Sequence, residues 1–180
     1  MKQILCKIFL LSSLFVVVGC SPRLSPFTQQ LYDSNNWTED DLKQVQFYLS
    51  DDVVLRREAN SGNSRIEGGE IKMVDGRKVE EIVIRKKTPG VLVFIPKEKR
   101  FAVSFETSDD RFLMFGPNPK AGNRYILLAS EWKRSRGTVT YDGKPFYTPS
   151  SSAYAALMVD LKKVRKTSIK SRTAKGRKID

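Results

Sequence analysis

Histidine is absent from the 180 residues, and cysteine occurs only as Cys6 and Cys20. Without imidazole there is no His-based triad, no His–carboxylate base and no His metal ligand. Both cysteines fall within the first twenty residues. The chain beyond them therefore holds neither a disulfide nor a free thiol, which excludes cysteine nucleophiles and thiolate zinc sites there. Long apolar runs are scarce too. Ile8 to Val18, broken by Ser12 and Ser13, falls well short of the roughly 20 residues that span a membrane. Phosphate loops are missing: Gly116-Pro117-Asn118-Pro119 with Gly122 is too proline-rich, and no helix pattern follows it. No cofactor is expected, and no internal repeat stands out.

What is present begins with a leader. Lys2 and Lys7 give a positive start, and the apolar run closes on Leu14-Phe15-Val16-Val17-Val18-Gly19-Cys20, as in an export signal. The stretch Val17-Val18-Gly19-Cys20 resembles the lipobox of bacterial lipoproteins: a branched apolar residue, a small or branched one, a small one, then cysteine. The resemblance covers about the first twenty residues. It implies cleavage before Cys20, a diacylglycerol on the Cys20 thiol and acylation, palmitate included, of the new amino group. Each buried methylene contributes roughly 0.8 kcal/mol, so several acyl chains hold where one would exchange. Ser21 rather than Asp follows the cysteine, which in lipoproteins of the enteric type implies the outer membrane. No acid of the kind that marks surface export elsewhere stands in Ser21-Pro22-Arg23-Leu24. The implied location is the outer membrane of a diderm bacterium, facing the periplasm. The bland alternative is a plain secretory signal with an incidental cysteine, or an uncleaved anchor.

Four parts follow: a signal peptide over 1–19, a lipidated tether over 20–36, a β domain over 37–164 and a basic flexible tail over 165–180. The tether is expected from two Ser-Pro pairs and from Asp33-Ser34-Asn35-Asn36. Its seventeen residues, fully extended, would reach roughly 55 to 60 Å. Apolar content of 40 % and ten Phe are enough for a core of one domain.

Trp37 opens the domain, and Thr38 with Asp41 three residues on predicts a short capped helix over Thr38 to Lys43. From Gln44 the period becomes two, through Val45, Phe47 and Leu49, then Val53 and Leu55. Asn60-Ser61-Gly62-Asn63 is a turn cluster. Asp75-Gly76 and Asp142-Gly143 each sit between alternating runs and predict tight hairpins. Glu80 and Glu81 beside Val79, Ile82 and Ile84 suggest a wet face or a bulge. Val91 to Ile95, apolar at every position, predicts a central strand buried from two sides. Gly116 to Asn123 reads as the longest loop. Ala153 to Val164 fits a helical stripe and a strand face alike, and the surrounding pattern favours a strand. About ten short strands, one short helix and two Asp-Gly turns predict an all-β fold, a small antiparallel β-barrel or compact sandwich.

The positive charge is local. Lys162, Lys163, Arg165, Lys166, Lys170, Arg172, Lys175, Arg177 and Lys178 stand against Asp160 and Asp180. A solvated tail is the common explanation; contact with an anionic envelope surface is the sharp one, at roughly 1 kcal/mol per basic residue near it. Export argues against nucleic acid as the partner. Catalytic candidates are weak. Asp40-Asp41, Asp51-Asp52, Glu80-Glu81 and Asp109-Asp110 are sequence neighbours, and neighbours in a strand face opposite ways. Ser130-Glu131-Trp132-Lys133 matches Ser-x-x-Lys by letters alone. Phe101, Phe105, Phe112, Phe115, Tyr125 and Trp132 read as core. The expected protein is therefore a non-enzymatic, lipid-anchored envelope component that serves a membrane-associated assembly through a protein partner or an anionic polymer. The alternative is a β-barrel module for an apolar or amphipathic small ligand, and a carboxylate hydrolase ranks last.

Overall fold

Alternation of apolar and polar residues builds two antiparallel sheets that share one core. The structure, a computed structural model, describes residues 23–58, 70–74 and 77–167. In chain order the strands are β1 (Leu24–Pro26), β2 (Phe47–Leu49), β3 (Val53–Glu58), β4 (Glu70–Val74), β5 (Arg77–Ile84), β6 (Pro89–Lys97) and β7 (Arg100–Ser104). They continue as β8 (Phe112–Asn118), β9 (Arg124–Leu127), β10 (Glu131–Lys133), β11 (Arg136–Tyr141), β12 (Lys144–Pro149) and β13 (Leu157–Asp160). Among the described residues three α-helices punctuate them: α1 (Gln29–Asn35), α2 (Glu39–Lys43) and α3 (Leu161–Thr167). One sheet runs β1-β13-β2-β6-β7-β8-β9 and the other β10-β11-β12-β3-β5-β4. Single bridges from Thr28 to Arg124 and from Ile126 to Ala156 draw the two ends of the larger sheet together. The result is a sandwich and not a closed barrel.

Local signals explain several elements directly. Thr38 Oγ1 accepts from the Asp41 N–H at 3.2 Å, and the Thr38 N–H donates to Asp41 Oδ2 at 3.2 Å, a reciprocal cap that starts α2. Asp142 and Gly143 take φ of 52° and 65°, as a type I′ turn requires, and Tyr141 then pairs with Lys144. Val74 pairs with Arg77 across the first Asp-Gly, whose own two residues lie outside the described ones, as does the turn cluster at 60–63.

Other segments depart from what the sequence suggests. The tether expected over 20–36 belongs to the fold from Leu24 on: β1 pairs with β13, Thr28 caps α1, and Phe27 is fully buried. Leu31 and Tyr32 of α1 pack against the same core, Tyr32 5.7 Å from Phe101 between ring centroids. Several apolar contacts and the β1–β13 ladder thus order a segment whose polar, proline-bearing composition suggests a tether. Strand β6 does lie at the centre of its sheet, but two-sided burial fails. Val91 is 43 % exposed while Leu92 is buried, because the sandwich covers only one face of each sheet. The long loop expected at Gly116 to Asn123 is mostly ordered. Gly116 to Asn118 continue β8, and a 3-10 turn over Pro119–Ala121 ends at Gly122 with φ 66°. The ambiguous stretch splits. Leu157–Asp160 is strand, and α3 follows through Thr167, so ordered backbone runs past the expected boundary at 164.

The core gathers Phe47, Phe101, Tyr125, Leu113 and Phe115 from the larger sheet and Leu55, Val139, Tyr141 and Phe146 from the smaller. Phe27 lies among them, 5.3 Å from Phe47, 5.6 Å from Phe101 and 5.0 Å from Tyr125 between ring centroids, and stacks on Trp37 at 5.9 Å. Replacing Phe27 with Ala removes an aromatic side chain from a closed site and should cost about 3–5 kcal/mol of stability. Urea denaturation checks this; an unchanged midpoint would mean that the segment before Trp37 is a tether after all.

Candidate functional site

Strand β3 carries its polar residues at its end, and the register decides what they meet. Arg56 sits opposite Glu81 and Arg57 opposite Glu80 on β5. Because strand neighbours point to opposite faces, the two pairs separate. Arg56 donates from Nε to Glu81 Oε2 at 2.6 Å on the outer face, where Lys72 on β4 also binds Glu81. Arg57 binds Glu80 on the inner face and lies over the Phe146 ring, its Cζ 5.2 Å from the centroid. Both glutamates are buried beneath these partners. The sequence pattern suggests a wet face or a bulge here; the ladder is regular, and opposing cations allow the burial.

The inner face ends in a second polar group. Tyr141 donates its hydroxyl to Glu106, whose other oxygen accepts from Arg111 Nη1 at 2.7 Å. Burial, and then the bond to Glu106, push the Tyr141 phenol well above its ordinary range, while Glu106 raises Arg111. The crevice beside these groups and the Arg57–Glu80 pair holds about 10 Å³, room for one water and no larger ligand. This cluster therefore joins the two sheets and is no binding site.

The outer face is different. On β12, Phe146 and Thr148 are buried and Tyr147 between them is half-exposed. Tyr147 pairs with Arg56 on one side and with Thr138 of β11 on the other, two residues from Arg136. A groove of about 370 Å³ runs along this seam, lined by Arg56, Arg77, Arg136, Val79, Tyr147 and Pro149 among others. Arg77 Nη1 binds Glu58 at 2.6 Å. Arg136 is exposed and carries no ion pair to a described residue. The groove is open and of mixed polarity, with Glu58 among its arginines and the inward-turned Arg57 and Thr148 also lining it.

The residues singled out from sequence lie elsewhere. Cys20, Lys170, Arg172, Lys175, Arg177 and Lys178 fall outside the described residues. Lys162 and Lys163 are exposed on α3, and Arg165 and Lys166 continue that helix. The Lys162 N–H donates to Asp160 Oδ1 at 3.0 Å. The adjacent carboxylates make no dyads. Asp41 caps α2, Asp52 accepts from the Lys86 N–H and Arg85, which hold it below the usual carboxylate range, and Glu80 and Glu81 face opposite ways. Ser130 donates to the Thr138 carbonyl while Lys133 pairs with Glu131, so the Ser-x-x-Lys letters do not meet. Trp132, expected in the core, is 40 % exposed on the short edge strand β10, its ring lying against Gly137. Arg56, Arg77, Arg136 and Tyr147 had no signal of their own in the sequence, because only the pairing of β11, β12, β3 and β5 brings them together.

Among the described residues no helix is long and apolar enough to cross a membrane. Compared with known proteins, the chain matches no family model, no curated protein and no solved structure.

Lys72 and then Arg56 hold the Glu81 carboxyl below its ordinary 4.5. A carboxyl whose folded value is depressed stabilises the fold above its unfolded value and loses that contribution as pH falls through the folded one. Replacing Glu81 with Gln should therefore lower stability at pH 7, and the gap from the parent protein should close on acidification below about 4.5. Thermal melts at stepped pH read this directly; a gap that does not narrow at all as pH falls below 4.5 would contradict it.

Proposed function

We propose that the protein is a lipid-anchored component of the cell envelope, held through Cys20 at the periplasmic side of an outer membrane. There it serves a membrane-associated assembly without catalysing a reaction. The observation that carries this reading is the pairing of β1 with β13, in which Leu24 sits opposite Asp160. Leu24 lies four residues after the lipobox cysteine, a span of at most about 14 Å when extended. Asp160 immediately precedes α3 and the basic residues from Lys162 on. Anchor and basic segment thus leave the fold side by side, at the edge of one sheet. A lipid on Cys20 brings that edge against the headgroups, where each basic residue gains roughly 1 kcal/mol from an anionic surface. The tail then orients the domain that the lipid merely retains, and its other faces stay open to a partner.

Two experiments test this reading. Replacing Cys20 with Ala should abolish palmitate labelling and move the protein from the membrane to the soluble fraction; unchanged fractionation contradicts the anchor. In that soluble form, deleting 168–180 removes five basic residues. The thermal midpoint should hold, while binding to vesicles rich in phosphatidylglycerol falls at least tenfold and loses its salt dependence. Equal binding by the truncated chain contradicts the role given to the tail.

A further inference from the structure

We infer that the groove on the outer face of the smaller sheet binds a small anionic saccharide, a phosphate or carboxylate carried on a sugar ring. Tyr147 provides the platform. It is a large ring left half-exposed on a sheet face, with Pro149 two residues along the same side of β12. A sugar lays its apolar C–H face on such a surface and leaves its charged substituent at the ring's edge. Arg56 is the direct cross-strand neighbour of Tyr147, and Arg136 is its diagonal one, so guanidinium groups flank the platform on both sides. A guanidinium fork matches two oxygens of a phosphate or carboxylate.

The two arginines are not equivalent. Arg56 is already held by buried Glu81 through Nε, so its orientation is fixed before a ligand arrives. Arg136 makes no ion pair with a described residue and is free to close on the anion. The volume of about 370 Å³ sits at the low end of small-molecule sites and suits one or two sugar rings. Glu58 at the far wall, engaged with Arg77, keeps that end from attracting a second anion. A solvated face explains a lone arginine or a lone tyrosine. It does not explain two arginines flanking one exposed ring over one groove. This inference does not rest on the lipid anchor.

The test uses the full chain in detergent micelles and isothermal titration with four probes: glucose 6-phosphate, glucuronate, inorganic phosphate and glucose. Saturable binding of glucose 6-phosphate or glucuronate at one site per chain is expected, with inorganic phosphate at least tenfold weaker and glucose weaker still. The better of the two anionic sugars identifies phosphate or carboxylate as the natural substituent. Arg136→Gln, at an exposed position, should weaken binding at least tenfold without moving the thermal midpoint. Tyr147→Ala should bring the anionic sugar down to the level of inorganic phosphate. Failure of both anionic sugars to saturate would overturn the inference. So would inorganic phosphate binding as tightly as they do, or binding that Arg136→Gln and Tyr147→Ala both leave unchanged.

Discussion

Phe27 is the constraint on which the larger sheet depends. Its ring packs against Trp37, Phe47, Phe101 and Tyr125, and its backbone ties two strands that are not neighbours in the sheet order. The Phe27 N–H donates to the Leu157 carbonyl at 2.8 Å, while its own carbonyl accepts from the Tyr125 N–H at 3.0 Å. The first serves the start of β13 and the second the start of β9. The curl of the sheet thus follows from a ring that fills the interior and from backbone links across the gap, those of Phe27 together with the Thr28–Arg124 and Ile126–Ala156 bridges. Aromatic contacts of this kind contribute about 0.5–1.5 kcal/mol each beyond their buried area. They act together with the β1–β13 ladder and with Leu31 and Tyr32 of α1, partly buried against the core, to offset the entropy of ordering this segment.

The smaller sheet is organised by charge at one end and by apolar packing at the other. Val53 and Leu55 enter the core, after which Arg56 and Arg57 meet Glu81 and Glu80 on β5 in register. A slip of one residue would put each glutamate on the wrong face, without its cation, which makes these pairs a device for register. The buried carboxylates are therefore structural in origin, and the outer one has a second consequence. In neutralising and fixing Arg56, Glu81 sets a guanidinium beside the exposed Tyr147 ring.

How far the fold could be read in advance follows from the range of each signal. Alternation and turn chemistry are local, so the Asp142-Gly143 hairpin, the Thr38 cap and the all-β architecture were legible. Burial of β6 depends on which face its sheet turns outward, a property of the whole fold, and apolar residues along its length concealed it. Phe27 stood in a polar, proline-bearing stretch where composition suggested a tether, and no local pattern reveals that a single ring will be enclosed. The groove was invisible for the same reason. Arg56, Arg77, Arg136 and Tyr147 come from four strands, and β3 and β5 are separated by β4 in sequence while lying side by side in space.

The two layers also divide the surfaces. Leu24, the first residue of β1, and Asp160, the last of β13, both belong to the larger sheet. Arg56, Tyr147 and Arg136 lie on the smaller one, on the side turned away from the core, since Leu55, Phe146 and Val139 on the same strands point inward. Sheets in a sandwich stand about 10 Å apart. An anchor only four residues from β1 would hold the first layer at the bilayer and leave the outer face of the second open to solvent. A short tether then serves better than a long one. Such a tether would restrict the domain to orientations in which the basic segment meets headgroups and the outer face of the smaller sheet does not.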